Sequence, residues 1–251
     1  MTIDYLFYAF YSIIQGITEF IPISSSGHLN LLELLYKKGN SRNYLYETTA
    51  HFSSLLALIL YLYKQNHFEF NNIKLNFVPI ALATIPAIVV GAYLKIFNIN
   101  FFSFQIIGYT SILGGILLYL SDLKIFQVVK ISDKKIKFLV AGLFQCLAFL
   151  PGFSRSGSCI IAFRLLGENR KNSSVMSLYL GIPIILISFL SNIRDVNVIQ
   201  FDFNLLIIFI LTFIFAYLTL KLFINYINNI GFKPFVIYRL IFGLLILILF
   251  N

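Results

Sequence analysis

The sequence predicts an all-α integral membrane protein made of two inverted repeats, each a re-entrant helical hairpin followed by three transmembrane helices. Apolar residues make up 59% of the 251 residues and charged residues only 12%, whereas soluble domains average about 45–50% and about 25%. Uncharged runs of 18 to 26 residues are long enough to cross a bilayer as helices. These runs are 77–94, 96–121, 172–193 and 203–220.

An internal repeat divides the single membrane domain, 1–251, into halves at 1–125 and 126–251. A shift of 130 residues places Gln15 on Gln145 and the serine-rich run 24–27 on 154–157. Because serine and glycine recur in the same order within an otherwise apolar chain, this match indicates two copies of one unit.

Each half begins with two short apolar segments that a proline and a serine-rich turn separate. A nine-residue helix rises only about 14 Å, so the second segment of each pair cannot span a bilayer. Proline and its predecessor disfavour continued helix, which fits Pro22 and Pro151 at the two turns. Two re-entrant hairpins are therefore predicted, at 5–21 with 28–36 and at 138–150 with 158–166.

Three full spans are predicted after each hairpin. Their approximate bounds are 47–64, 77–96, 103–121, 174–191, 204–224 and 235–250. Three crossings per repeat is an odd number, so the second copy starts on the opposite side of the membrane. Twelve basic residues then lie on one side and five on the other, which predicts that the first side is cytoplasmic and both termini are periplasmic. Flanking basic residues explain the net charge of +9, so no nucleic-acid partner is expected.

The first hairpin carries the polar residues of a candidate site. Gln15 and Glu19 are four residues apart and share one helix face, and a carboxylate within the membrane indicates function by default. The alternative is that Glu19 only pins two helices together. Ser24, Ser25 and Ser26 precede the second helix, whose N-terminus is suited to bind an anion. Helix capping alone would explain one serine but not three.

His28 follows these serines and could act as the base that a hydroxyl nucleophile needs. The alternative is a structural histidine held by hydrogen bonds.

The second hairpin places Arg155 between Ser154 and Ser156, with Gly157 next. An arginine at membrane depth is costly unless it is paired, and its planar fork of donors suits a phosphate. The alternative is that Arg155 forms a salt bridge with Glu19 or Glu47. The two roles are compatible, because the salt bridge can form before a phosphate binds.

Hairpins of an inverted repeat meet near the membrane midplane. A carboxylate, an imidazole, a guanidinium and several hydroxyls would then face two helix N-termini. This set suits phosphate and contains the groups needed for phosphoryl transfer.

These segments resemble the undecaprenyl-diphosphate phosphatase family, also called bacitracin-resistance proteins. The first family motif matches Gln15, Glu19 and the run from Ser24 to His28, and the second matches Pro151 to Gly157 in full. Glu47 and the stretch 234–239 match as well. The chain departs from the family in having Gln15 where many members have glutamate, and Ser26 where many have threonine.

The resemblance implies hydrolysis of undecaprenyl diphosphate to the monophosphate and inorganic phosphate, which recycles the lipid carrier of peptidoglycan synthesis and confers bacitracin resistance. It also implies a bacterial inner-membrane location, an active site open to the periplasm and a divalent cation, Mg²⁺ or Ca²⁺. The sequence leaves a homodimer open.

In the predicted mechanism Ser25 attacks, His28 is the base and Glu19, with Gln15, holds the cation. The predicted substrate contacts are Gln15, Glu47 and the remaining residues of the two turns, namely Arg155, Ser154, Ser156, Ser24, Ser26 and Gly157. A rival assignment makes His28 the nucleophile. The alternative function is a transporter or flippase for a lipid phosphate or small anion, because broken helices in inverted repeats are also transporter architecture.

Overall fold

The computed structural model describes residues 2–36, 44–65, 70–126, 131–193 and 203–250, and every regular element within these ranges is helical. The α-helices of the first half are α1 Thr2–Thr18, α2 Ser25–Leu35, α3 Tyr44–Lys64, α4 Phe70–Ile96 and α5 Phe104–Asp122. Those of the second half are α6 Lys134–Gln145, α7 Arg155–Leu165, α8 Arg170–Ile193, α9 Phe203–Ile230 and α10 Lys233–Leu249. Short 3₁₀ segments lie at Lys124–Phe126 and Cys146–Phe149.

The helix pairs α1–α2 and α6–α7 break where the two prolines predict. Both second helices start three residues earlier than predicted, at Ser25 and Arg155. The cause is the residue before each helix: Ser24 and Ser154 have φ of 75° and 74°. This left-handed conformation reverses the chain immediately before the helix.

Each of the six predicted spans is a helix, from α3 to α5 and from α8 to α10. Within the described residues, α4 from Phe77, α5, α8 and α9 are long and apolar enough to cross a membrane. Helix α3 is less apolar because its first half carries Glu47, His51 and several hydroxyl side chains. Helix α10 has 17 residues.

Helix α7 lies at the centre of the molecule and packs against α5, α6 and α8. Its residues from Ser156 to Arg164 are all buried. Arg164 is held at the end of this helix by Asp122, whose carboxylate accepts from Arg164 Nη2 at 2.8 Å and from Arg170 Nη2 at 2.7 Å. The second serine-rich turn, at the other end of α7, is therefore anchored in the protein interior.

Candidate active site

A cavity of about 230 Å³ lies between the two serine-rich turns. Helices α3, α4 and α8 and the 3₁₀ segment Cys146–Phe149 complete its wall. The residues that line it are Glu19, Ser24, Ser25, Ser26, His51, Ala87, Gln145, Ala148, Phe149, Ser154, Arg155, Ile184, Ile185 and Ser188. The tertiary structure thus brings polar residues of both hairpins to one cavity.

Glu19 is the buried centre of the site. Its Oε1 accepts from Arg155 Nη2 at 2.9 Å, and its Oε2 accepts from Ser25 Oγ at 3.0 Å. Arg155 Nη1 is buried and has no hydrogen-bond partner among the described residues. The carboxylate therefore holds a serine hydroxyl and a guanidinium with a spare donor side by side.

His51 belongs to the site and was missed by the sequence interpretation. Gln15 Nε2 lies 3.0 Å from Glu19 Oε2 and 3.1 Å from His51 Nδ1, so the amide donates to both. His51 Nε2 lies 4.0 Å from Glu47 Oε1. The available signal was the four-residue spacing of Glu47 and His51, which places both on one face of α3.

Gln145 is the second missed residue of the cavity wall. Its Nε2 is buried without a hydrogen-bond partner among the described residues. The signal was the repeat itself, which aligns Gln145 with Gln15.

The serines of the two turns make different local contacts. Ser154 Oγ caps α7 by accepting from the Gly157 amide at 3.2 Å, whereas Ser24 makes no side-chain cap. Ser24 Oγ lies 3.2 Å from Ser26 Oγ, as Ser154 Oγ does from Ser156 Oγ. Ser156 Oγ donates to the Ile21 carbonyl at 2.9 Å. Capping therefore does not account for Ser24, Ser25 or Ser26, and Ser156 joins one turn to the other.

His28 lies outside the set of residues that line this cavity. Its Nδ1 is 2.7 Å from the Ser24 carbonyl, which can only accept, so Nδ1 carries the proton. Its Nε2 is 2.5 Å from the Tyr238 hydroxyl, and its ring stacks on Phe242. The structure therefore pairs His28 with the backbone of the turn and with α10, and brings His51 to the cavity.

The oxygen donors of the site are of the kind that Mg²⁺ and Ca²⁺ prefer. They are the Glu19 carboxylate and the Ser25 hydroxyl. Gln15 Oε1 is buried without a hydrogen-bond partner among the described residues, but Gln15 does not line the cavity and turns its Nε2 toward Glu19. The described part of the chain contains no cluster of three or more His, Cys, Asp or Glu side chains that could hold a metal. The donor set fits a cation that is held by one carboxylate and completed by other oxygen ligands.

Comparison with known proteins shows similarity to one protein family over nearly the whole chain. The family model described as bacitracin resistance protein BacA matches residues 8–245. An undecaprenyl-diphosphatase of Pelagibacter ubique (strain HTCC1062) is 37% identical over 95% of this chain and 94% of its own length. Those of Prochlorococcus marinus (strain MIT 9515) and Sulfurihydrogenibium sp. (strain YO3AOP1) are 32% and 34% identical, covering 98% and 93% of this chain and 99% and 94% of their own lengths. The chain with this Glu19-centred site belongs to the BacA family.

Proposed function

We propose that this protein hydrolyses undecaprenyl diphosphate to undecaprenyl phosphate and inorganic phosphate. The activity recycles the lipid carrier of peptidoglycan synthesis and confers bacitracin resistance. One observation carries the proposal: Glu19 holds the Ser25 hydroxyl and the Arg155 guanidinium in one cavity at the starts of α2 and α7. A nucleophile (Ser25), a proton acceptor (Glu19) and a group that binds phosphate (Arg155) are therefore in contact in one cavity.

Substrate binding uses the positive groups of the cavity. Arg155 and the amides at the starts of α2 and α7 hold the diphosphate, because free N–H groups and the helix dipole favour anions. Ser24, Ser26 and Ser154 line the same cavity and offer hydroxyl donors. The isoprenoid tail lies along the apolar helices within the bilayer.

The chemical step starts at Ser25. Its Oγ attacks the terminal phosphorus, the bond from that phosphorus to the bridging oxygen breaks, and undecaprenyl phosphate leaves. The hydroxyl proton passes to Glu19, which already accepts the hydrogen bond from Ser25 at 3.0 Å. Water then hydrolyses the phosphoserine and releases inorganic phosphate. This geometry favours Glu19 as the base over His28, whose ring nitrogens face Ser24 and Tyr238.

A divalent cation would be held by Glu19 together with Gln15. When bound, it would neutralise charge on the phosphate oxygens. Gln15 would join it through Oε1 after rotation of its amide, because in this structure Glu19 and His51 both accept from Nε2.

The architecture we propose is the inverted repeat, with both hairpins re-entrant in the inner membrane and the site open to the periplasm. The matching conformations of Ser24 and Ser154, 130 positions apart, support two copies of one unit. The distribution of basic residues supports the orientation.

The test is phosphate release from a prenyl diphosphate by purified protein in detergent. We expect turnover by the wild type and at least a hundredfold loss in Ser25→Ala, which is purified identically to exclude a contaminating phosphatase. A transporter or flippase would release no phosphate in detergent and would instead move a labelled lipid phosphate between leaflets of proteoliposomes. That result would overturn the proposal.

A further inference from the structure

We propose that Arg239 of α10 is the positioning residue that holds the two serine-bearing turns in register, an inference that rests on the proposed function of those turns. Arg239 is the largest fully buried side chain of the described protein, with no measurable exposure. No carboxylate among the described residues pairs with it. A buried guanidinium without a counter-ion requires another source of compensation.

Backbone carbonyls of both turns supply that compensation. Arg239 Nη1 donates to the Pro22 carbonyl of the first turn at 3.2 Å. Its Nη2 donates to the carbonyls of Gly152 and Phe153 in the second turn, at 3.2 Å and 2.9 Å. One planar group therefore spans the two segments that carry Glu19–Ser25 and Arg155, and its rigid fork fixes their separation.

Helix α5 holds the guanidinium from the opposite side. Arg239 Nε donates to the Ser111 carbonyl at 3.1 Å, and Nη2 lies 3.2 Å from the Thr110 carbonyl. Ser111 Oγ donates back to the Arg239 carbonyl at 3.0 Å. Thr110 Oγ1 also donates to the Pro151 carbonyl of the second turn. Helix α5 therefore fixes the position of the same guanidinium that contacts both turns.

The turns need such external support because their backbones are strained. Ser24 and Ser154 are non-glycine residues with φ near 75°. Conformations of this kind are unfavourable for residues other than glycine and persist only when the surroundings enforce them. Without the fork, each turn is expected to relax independently and the Arg155–Glu19 contact to lengthen.

Gly114 and Gly115 of α5 provide a matched test of this role. A Cβ on Gly114 would lie 2.0 Å from Arg239 Nη2, so alanine there must displace the guanidinium. A Cβ on Gly115 would lie 3.2 Å from Arg239 Cβ, which requires a shift of only a few tenths of an ångström. Both substitutions change a buried helical glycine of the same helix to alanine, but the first Cβ meets the guanidinium itself, whereas the second meets only Arg239 Cβ.

The experiment compares kcat, KM and thermal stability of Gly114→Ala and Gly115→Ala. We expect Gly114→Ala to lower kcat at least tenfold and to raise KM, and Gly115→Ala to change each less than threefold. Gly114→Ala should cost less than a further twofold when Arg239→Met is already present, because both changes remove the same contacts. A purely structural role would reduce the fraction of folded enzyme and leave KM unchanged.

A second readout does not depend on activity. Nitroxide labels at positions 26 and 149, in a background without Cys146 and Cys159, report the separation of two segments that line the cavity. We expect weaker dipolar broadening in Gly114→Ala and Arg239→Met than in Gly115→Ala. Equal spectra in all variants would overturn the positioning role, whether or not the wild type releases phosphate. Wild-type KM in Gly114→Ala of an active enzyme would overturn it too.

Discussion

At the residue scale, the site depends on one buried carboxylate shared by three side chains. Glu19 accepts from Arg155, Ser25 and Gln15 within 3.0 Å. The Arg155–Glu19 pair leaves one guanidinium nitrogen without a partner. Loss of either member leaves an uncompensated buried charge, which costs far more than loss of an exposed pair.

Arg155→Lys tests the need for a planar fork of donors. Lysine keeps the positive charge but cannot contact Glu19 and a phosphate with separate donors in one plane. We expect at least a tenfold loss of kcat/KM, measured as phosphate release by stably folded protein. Wild-type turnover in this variant would contradict the binding role of Arg155.

His28→Asn and His28→Ala separate positioning from proton transfer. Asparagine can place its amide where Nδ1–H donates to the Ser24 carbonyl, but it is neither a base nor a nucleophile. We expect His28→Asn to retain at least five times the turnover of His28→Ala. Equal, near-complete loss in both variants would restore His28 as base or nucleophile.

At the element scale, the second broken helix pair holds its turn in place because its second helix, α7, is buried in the protein interior. Helix α7 is buried from Ser156 to Arg164. Asp122 ties Arg164 and Arg170, and therefore the far end of α7, to α5 and α8. The Arg155 end of the same helix can then support a strained turn.

Asp122→Asn should destabilise the protein by about 3 kcal/mol, because it leaves the buried Arg164 without its counter-charge. The measurement is the midpoint of thermal unfolding in detergent. Glu168→Gln is the matched control: its partner Lys137 is 16% exposed, compared with 8% for Arg164, so the expected cost is about 1 kcal/mol or less. Equal midpoints for both variants would show that the Asp122 cluster does not stabilise α7.

At the scale of the whole molecule, orientation decides which leaflet supplies the substrate. Cysteines placed at Asn100 and Lys135, both exposed in the structure, test it in a background without Cys146 and Cys159. We expect a membrane-impermeant reagent to label position 100, between α4 and α5, in intact cells and to leave position 135 protected until lysis. Labelling of position 135 alone would reverse the proposed topology.

The sequence by itself determined the helical class, the two helix breaks and most of the candidate site. Proline disfavours continued helix locally, and its coincidence with a serine-rich run marks the turns at Pro22 and Pro151, whereas other prolines of the chain lie within α4 and α8. Repetition of the serine motif placed Glu19, Ser25 and Arg155 together before any contact was visible. Arg155 and Glu19 are 136 positions apart, so local geometry could not relate them. The repeat of the serine motif was the signal that predicted their proximity.

Only the tertiary structure decided which side chains complete the site. His51 reaches Gln15 across 36 positions because α3 packs beside α1, and His28 contacts Tyr238 across 210 positions because α10 passes beside the start of α2. Arg239 contacts Pro22 across 217 positions. The type of a residue determines which contacts its side chain can make. Which partner it contacts depends on how helices that are far apart in sequence pack together, and no local sequence pattern encodes that packing.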